Sequence, residues 1–554
     1  MTPKYIFVSG GVLSGLGKGV TAASIGLLLQ SRGYKVTPVK CENYINIDSG
    51  LINPIEHGDP FLCEDGTEAD MDMGTYEKFL GKNVGKHNFI TMGQIYAEVI
   101  RRERNFDYNG EDVEAIPHVS DEIIRRIKEA GKKENSDIVI VELGGTAGEY
   151  QNALYYEASR IMKIVHKDTV VHVHVSFLPT PSHLGEPKTK PTQLSVRYLN
   201  SMGIQPDFIV CRGEKEIDLR RRERLAMFCN VEASDVINNP DEKSPYSVPL
   251  GFEKQEFDKK ILQKLGLAER KIDLSEWTKM EEKIGKTNKE ITIGIVGKYF
   301  ATGDYQLRDS YAALFDALDH AGWANGVKIK ALWINAEKFE KQDNKDIFKN
   351  ADGIIVPIGW GERGVEGMIK AIKYAREEKI PYLGLCYGMQ LAVVEFSRNV
   401  AGLTDANTTE ANPKTPNPVI HMIPRLEELT ARRAYGGTMR LGRWDCKVKS
   451  KTISFDSYLK YGGFIDKEKM VVSERHRHRY EFNNKYASLL EKKGLVIAGR
   501  SVLEDLVEII ELPTSVHPFF VATQFHPEYK SRPLSPHPIF LSFIEACMKT
   551  PNER

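Results

Sequence analysis

The chain has 554 residues, 41% of them hydrophobic and 27% charged, with Lys+Arg and Asp+Glu both totalling 76. That length exceeds one ordinary core and predicts two large domains; the composition excludes a disordered or fibrous chain. The equal charge balance argues against bulk attraction to nucleic acid or membrane.

No apolar stretch approaches membrane-spanning length. Met1-Thr2-Pro3-Lys4 leads into a strand without an apolar signal segment. The seven cysteines are scattered, with no CxxC pair, and predict a reducing, cytoplasmic setting.

The first chemical signal is the run Tyr5-Ile6-Phe7-Val8 entering Gly10-Gly11-Val12-Leu13-Ser14-Gly15-Leu16-Gly17-Lys18-Gly19. A glycine-rich loop after a buried strand lets backbone N–H groups approach phosphates, and the helix that follows adds positive potential. Lys18 then reaches the outer phosphates as a point charge. A standard P-loop ends Gly-Lys-Ser/Thr; here Gly19 stands at the hydroxyl position, so magnesium needs other ligands.

Two acids are candidates. Asp72 lies in Glu68-Ala69-Asp70-Met71-Asp72-Met73-Gly74, and Glu142 closes Ile138-Val139-Ile140-Val141-Glu142. A carboxylate ending a parallel strand sits where α/β folds bind ligands, and hard oxygens suit Mg2+ on ATP phosphates. Taken singly, each acid also fits an ordinary surface role. Lys188-Thr189-Lys190-Pro191-Thr192-Gln193 suits a second triphosphate, or else a solvated loop.

Apolar, β-branched runs at residues 5–9, 138–142, 170–175 and 208–211 predict parallel strands buried on both faces, with a helix over 20–30. Runs at 291–296, 327–334, 353–357 and 382–385 repeat the style. Between them, charged and almost strand-free residues predict a helical linker at 269–290, separating a domain at 1–268 from one at 291–550.

In the second half, Pro381-Tyr382-Leu383-Gly384-Leu385-Cys386-Tyr387-Gly388-Met389-Gln390 places a cysteine between a strand and a helix, and Gln524-Phe525-His526-Pro527-Glu528 follows downstream. Such a cysteine is expected exposed at the sheet edge, facing a helix N-terminus that lowers its pKa. His526 acts as its base and Glu528 orients the imidazole. Gly359 can supply an oxyanion N–H. The basic run Glu474-Arg475-His476-Arg477-His478-Arg479-Tyr480 fits an anchor for carboxylate or phosphate, or a plain solvated strand; the neutral chain speaks against nucleic acid. A chain with both signatures can release ammonia at one site and use ATP to install it at the other, as glutamine-dependent amidotransferases do.

Further motifs stand in the same order: Tyr44-Ile45-Asn46-Ile47-Asp48, Tyr76-Glu77-Lys78-Phe79, Phe228-Cys229-Asn230-Val231 and Gly436-Gly437-Thr438-Met439-Arg440-Leu441-Gly442. With the loop and the triad they resemble the CTP synthase family from end to end. The resemblance implies an α/β synthetase domain with a P-loop-like parallel sheet, followed by a class I glutamine amidotransferase domain. It implies that ATP phosphorylates the 4-oxygen of UTP and that ammonia, channelled from glutamine, displaces the phosphate to give CTP. It further implies magnesium, activation by GTP, feedback by CTP and a homotetramer that can extend to filaments, with neither nucleic acid nor membrane as partner.

By motif, Gly15, Leu16, Gly17, Lys18, Gly19, Val20 and Asp72 are then expected on ATP, with Asp72 and Glu142 on the metal. Ser14, Glu149, Tyr150, Gln151, residues Lys188, Thr189, Lys190, Pro191, Thr192 and Gln193, and Arg224 are expected on UTP or CTP. Gly359, Tyr387, Gly388, Met389, Gln390, Glu410 and Arg479 line the glutamine pocket. The chain departs from the family pattern at Cys41-Glu42-Asn43 (after Lys40, which matches), Glu149-Tyr150-Gln151, Ile358, Trp360, Tyr387 and Arg224. Two alternatives remain at this point: a paralogue aminating a related pyrimidine nucleotide, and a polymerising regulatory protein.

Overall fold

The computed structural model describes residues 3–54, 58–165, 169–302, 305–306, 308–342 and 344–549. The chain divides into two compact units, Met1–Asp48 with Asp72–Glu281, and Ser49–Met71 with Glu282–Arg554. Residues 49–71, assigned by the sequence to the first domain, thus group with the second. Their only strands among the described residues, Phe61–Leu62 and Glu68–Ala69, are two residues long and pair antiparallel. No hydrophobic period announces so short a hairpin.

The first unit is built on β1 (Lys4–Gly11), β2 (Val36–Glu42), β3 (Phe89–Thr91), β4 (Ile138–Leu143), β5 (Val170–Phe177), β6 (Phe208–Gly213) and β7 (Val236–Pro240). Their order is β3-β2-β4-β1-β5-β6-β7, and every neighbouring pair is parallel. Strands β2 and β4 are buried along their whole length, which is why they read as unbroken apolar or mixed runs rather than alternating ones. The order reverses about β1, so its C-terminal end opens on the crevice where such sheets bind ligands. There the chain passes through residues 12–17 into α1 (Lys18–Ser31). Two further helices of this unit serve its crevice, α2 (Met71–Leu80) and α3 (Lys190–Ser201).

The stretch expected as a linker contains α4 (Ser275–Lys286). Its Trp277 is buried, donates Nε1–H to the Tyr246 carbonyl at 2.8 Å and packs its ring on Phe79 and Tyr246. Most of this helix therefore packs as part of the first unit.

The second unit carries a ten-stranded sheet of β8 (Lys289–Gly297), β9 (Val327–Asn335), β10 (Gly353–Val356), β11 (Tyr382–Leu385), β12 (Arg440–Val448), β13 (Phe464–Asp466), β14 (Val471–His478), β15 (Val496–Ser501), β16 (Val507–Glu511) and β17 (Phe520–Thr523). The order is β9-β8-β10-β11-β17-β16-β15-β12-β14-β13. The first five are parallel and the rest add antiparallel. One apolar cluster gathers Val356, Met368 and Val393, and another Ile355, Leu385 and Phe543, so β10 and β11 are covered on both faces.

Helix α5 (Tyr387–Asn399) leaves β11 after a single residue, Cys386. A Cβ on Gly388 would lie 2.0 Å from the Val356 carbonyl oxygen, and a backbone atom cannot rotate away. Gly388→Ala is expected to cost about 2 kcal/mol or more in stability, read as a lowered thermal midpoint of the second unit.

Candidate active sites

In the first unit, the β1–α1 turn leaves the start of α1 uncapped by any side chain, with Gly17 in the left-handed region at φ 81°. The first N–H groups of the helix are thus left for a ligand. The Lys18 stem runs over Gly10, where a Cβ would meet Lys18 Cδ at 2.7 Å, and its ammonium donates to the Gly145 carbonyl at 2.8 Å. Burial lowers the Lys18 pKa, with the Lys40 charge adding to it.

The departure at Gly19 has a steric cause. A Cβ there would stand 2.1 Å from Asp72 Oδ1, so the carboxylate of α2 fills the space that a P-loop hydroxyl would occupy. Glu142 is buried at the end of β4; Tyr76 donates its hydroxyl to one oxygen, and Lys40 donates to the other at 2.8 Å. Burial pushes Glu142 up to about 6, with the Asp72 charge adding to that and Lys40 and Lys18 opposing it.

Lys40 is the residue that sequence reasoning missed. It stands on β2 beside Glu142 in register and binds Asp72, Glu142 and, at 3.1 Å, Glu42. The available signal is a lysine near the end of an otherwise buried strand. In the sequence it stands out only as part of a divergent motif.

The pyrimidine-assigned residues fall into two groups. Lys188, Thr189, Lys190 and Arg224 line a cavity of about 430 Å3 together with Glu186, Arg220 and Arg221. Lys190 and Arg224 also lie over the Phe228 ring, at 5.9 and 6.0 Å from its centroid. Thr192 and Gln193, by contrast, are buried, and the solvated-loop alternative does not hold for them. Thr192 accepts from Ser176 at 3.0 Å, and Gln193 Oε1 is buried without a hydrogen-bond partner. Ser14 is exposed in the loop, as are Tyr150 and Gln151. Glu149 accepts from the Thr146 N–H at 2.9 Å and its hydroxyl at 2.5 Å, while its second oxygen receives Gln151 Nε2 at 3.2 Å. Its carboxylate is largely spent on its own turn.

In the second unit, Cys386 sits at φ 52°, ψ −96°, a conformation that a non-glycine residue adopts only when its surroundings force it. Gly384 and Gly388 make that elbow possible, because a Cβ on Gly384 would come within 2.9 Å of the Gly388 carbonyl carbon. The expectation of an exposed sheet-edge thiol is corrected: Cys386 is 3% exposed, and β11 lies between β10 and β17 inside the sheet. Gln524 Nε2 donates to its sulfur at 3.5 Å, and the thiol faces the Arg477 carbonyl at 3.9 Å.

His526 is fully buried, its Nδ1 2.8 Å from Glu528 Oε1 and its ring stacked on Tyr529 at 5.1 Å. Burial alone would depress its pKa; the Glu528 carboxylate and the Cys386 sulfur outweigh this and push it up to about 10. The site is thus arranged to hold a protonated imidazole beside the Cys386 sulfur.

The loop at 358–361 is braced by Tyr387, which departs from the family pattern, and by Lys298. Tyr387 donates its hydroxyl to the Gly361 carbonyl at 2.8 Å, and its ring lies 4.4 Å from Lys298 Nζ. Lys298 donates to the Trp360 and Gly361 carbonyls at 3.0 and 2.6 Å. Burial lowers Lys298 to about 8 despite Glu410. Gly361 donates its N–H to Glu410 at 2.7 Å. Ile358 is buried in the core, and Trp360 lies under the Arg477 guanidinium. A Cβ on Gly359 would press on Lys298 and Tyr387 at 3.2 Å. Met389 packs in the apolar cluster, while Gln390 donates to the Tyr480 carbonyl at 2.9 Å and keeps a buried oxygen without a partner.

The basic run is not a solvated strand. All of β14 is buried. Arg477 donates to Glu68 at 2.6 Å and stands 3.5 Å from Asp59, while Arg475 donates to the Leu62 and Tyr529 carbonyls. His476 and His478 lie against Arg440, their pKa values held far down by burial and by that cation. Of the arginines in the run, Arg479 alone is not buried, donating to the Tyr435 carbonyl at 2.6 Å.

The chain matches the family model described as CTP synthase N-terminus over residues 4–267 and that for glutamine amidotransferase class-I over 306–546. The CTP synthase of Caldanaerobacter subterraneus subsp. tengcongensis is 49% identical over 546 residues, covering 98% of each chain. That of Carboxydothermus hydrogenoformans is 48% identical over 548 residues, covering 99% of each. Among solved structures, the glutaminase domain of Trypanosoma brucei CTPS with bound acivicin is 34% identical, with a TM-score of 0.41, and covers 47% of this chain and 95% of that one.

Two outcomes follow from the geometry. Gly19→Ser should impair ATP use rather than restore a P-loop, because its side chain collides with Asp72; the KM for ATP should rise about tenfold or more. For His526, a folded pKa near 10 against an ordinary 6.5 means that its protonated form stabilises the fold fully below about pH 6.5. This contribution fades as pH climbs through 10. Thermal midpoints of wild type and Glu528→Gln should therefore differ most near pH 6.5 and converge toward pH 10.

Proposed function

The chain belongs to the CTP synthase family, and from that membership we infer that it aminates UTP to CTP with ATP and glutamine. ATP phosphorylates the 4-oxygen of the uracil ring, ammonia adds at that carbon, and phosphate leaves. The observation that carries the reading is the Cys386 elbow beside the His526–Glu528 pair, near enough for its sulfur to help raise the imidazole pKa. A phosphorylating unit alone has no use for such a nucleophile.

In this proposal the Cys386 thiolate attacks the side-chain carbonyl of glutamine. The Gly359 and Tyr387 N–H groups face the developing oxyanion. His526 gives its proton to the departing ammonia, then activates water to hydrolyse the thioester. Glu410, Gln390 and Arg479 hold the amino acid, with the buried, unpartnered Gln390 oxygen suited to its ammonium. In the other unit, Gly15, Leu16, Gly17, Lys18, Gly19 and Val20 hold the ATP phosphates, and Lys18 and Lys40 stabilise transferring charge. Lys188, Lys190 and Arg224 take the UTP phosphates.

Magnesium fits this donor set. Asp72 has a side chain 31% exposed and shares Lys40 with buried Glu142, so hard oxygens converge where a divalent charge would relieve their repulsion. When bound, the ion would neutralise phosphate charge. GTP activation, CTP feedback, homotetramer assembly and a cytoplasmic setting belong to the same proposal; among the described residues, no helix is long and apolar enough to cross a membrane.

Cys386→Ala should abolish glutamine-driven synthesis and leave ammonium-driven synthesis within about twofold, because the thiolate serves only ammonia release. Lys18→Ala should lower both by about a hundredfold or more. Equal loss of both activities in the cysteine variant would refute two separate sites. Because Glu149 is engaged with Thr146 and Gln151 carries no charge, CTP inhibition should be weak. It should tighten several-fold in Glu149→Asp with Gln151→Glu, measured by CTP titration at fixed UTP.

A further inference from the structure

Beneath the first unit's crevice runs a buried polar chain that no step above uses. Ser9 Oγ on β1 lies 2.9 Å from His174 Nδ1 on β5, and His174 Nε2 lies 2.7 Å from Ser195 Oγ on α3. Ser9, His174 and Ser195 are 1%, 0% and 4% exposed, and none of their polar side-chain atoms is left without a partner. Each end of the chain adjoins a different nucleotide segment. Ser9 directly precedes Gly10 and Gly11 of the phosphate loop. Ser195 lies one turn into α3, whose first turn carries Lys190 and Thr192.

The approach leaves no room for a side chain. A Cβ on Gly11 would fall 1.6 Å from Ser195 Oγ and 2.9 Å from His174 Nε2. Strand β5 grips α3 a second time, through Ser176 Oγ and Thr192 Oγ1 at 3.0 Å. Displacing the loop after β1 therefore displaces α3, with nothing between them to absorb the motion. Burial, with the Lys18 charge adding to it, depresses His174 to about 4. The ring stays neutral, with one N–H and one lone pair, so it bridges two hydroxyls without bringing a charge into the core.

We propose that His174 is a positioning residue that couples the ATP loop to the UTP helix, so that occupation of either segment sets the geometry of the other. The proposal rests on the assignment of residues 15–20 to ATP and 188–193 to UTP. It adds that binding at the two is cooperative through this contact and not merely adjacent. A buried hydrogen-bonded chain with two anchored ends fits such a role, because breaking any one link severs the whole.

The test uses the full-length protein and isothermal titration of UTP, with and without a non-hydrolysable ATP analogue. In wild type the analogue should tighten UTP binding by about fivefold or more. His174→Leu, which roughly preserves the volume and removes both bonds, should bring that ratio to within about twofold of one. Ser9→Ala and Ser195→Ala should each do the same, and the Ser9→Ala, Ser195→Ala double variant should lose no more than either alone. With ammonium as nitrogen donor, the KM for UTP should rise in these variants while kcat at saturation stays within about twofold.

A wild-type ratio of one, an unchanged ratio in a folded His174→Leu protein, or additive losses in the double variant would overturn the proposal. Should His174→Leu fail to fold, Ser195→Ala removes a single oxygen and its coupling ratio decides the matter in the same way. Failure of the underlying assignment looks different: Lys18→Ala would then leave analogue affinity unchanged, and Lys188→Ala would leave UTP affinity unchanged.

Discussion

Both sites depend on one constraint, the handover of the chain from a parallel strand to a helix in a space too small for a Cβ. At β1–α1 the handover leaves the start of the helix without a side-chain cap and gives Asp72 the room that Gly19 vacates. At β11–α5 it forces Cys386 to positive φ, with Gly384 and Gly388 allowing the helix to seat against β10. Backbone strain of about one to three kcal/mol at such a point, typical of functional residues, is sustained because the surrounding core is close-packed. The glycines are the condition on which the chemical side chains reach their places.

Electrostatics then sort the two units. In the first, a single ammonium, Lys40, holds three carboxylates, of which burial pushes Glu142 toward protonation. In the second, acid and base are kept in one ion pair inside the protein, with His526 charged next to sulfur. The divergent Tyr387 and Trp360 fit this scheme: with Lys298 they hold the loop at 358–361 by a hydroxyl, a ring face and an ammonium.

Much of this was legible in the sequence. The strands at 5–9, 138–142, 382–385 and the glycine loops stand where apolar runs and glycine spacing put them, because buried parallel strands write unbroken patterns. Strand β2 was missed because Pro38 and Lys40 interrupt its pattern, and β3 because three residues carry no period. Burial of Cys386 was missed because a motif locates an elbow along the chain and says nothing of what later strands lay over it. The basic run misled for a related reason: charge is visible in a sequence, while the partners that bury it, Glu68 and Asp59 for Arg477, lie hundreds of positions away.

That last pairing bears on how the two halves can be parted. The segment Ser49–Met71, which the gene encodes inside the synthetase half, is structurally a strap of the glutaminase. Its Glu68 and Asp59 neutralise the arginine whose carbonyl faces the Cys386 thiol. A fragment cut at the apparent linker would leave Arg477 without its counterions, and stripping a buried charge of its partner costs about 3 to 5 kcal/mol. Along the chain the two units are therefore interleaved rather than tandem. Swapping one half for a homologue's would require the exchange of two separate stretches of coding sequence, Ser49–Met71 together with Glu282–Arg554.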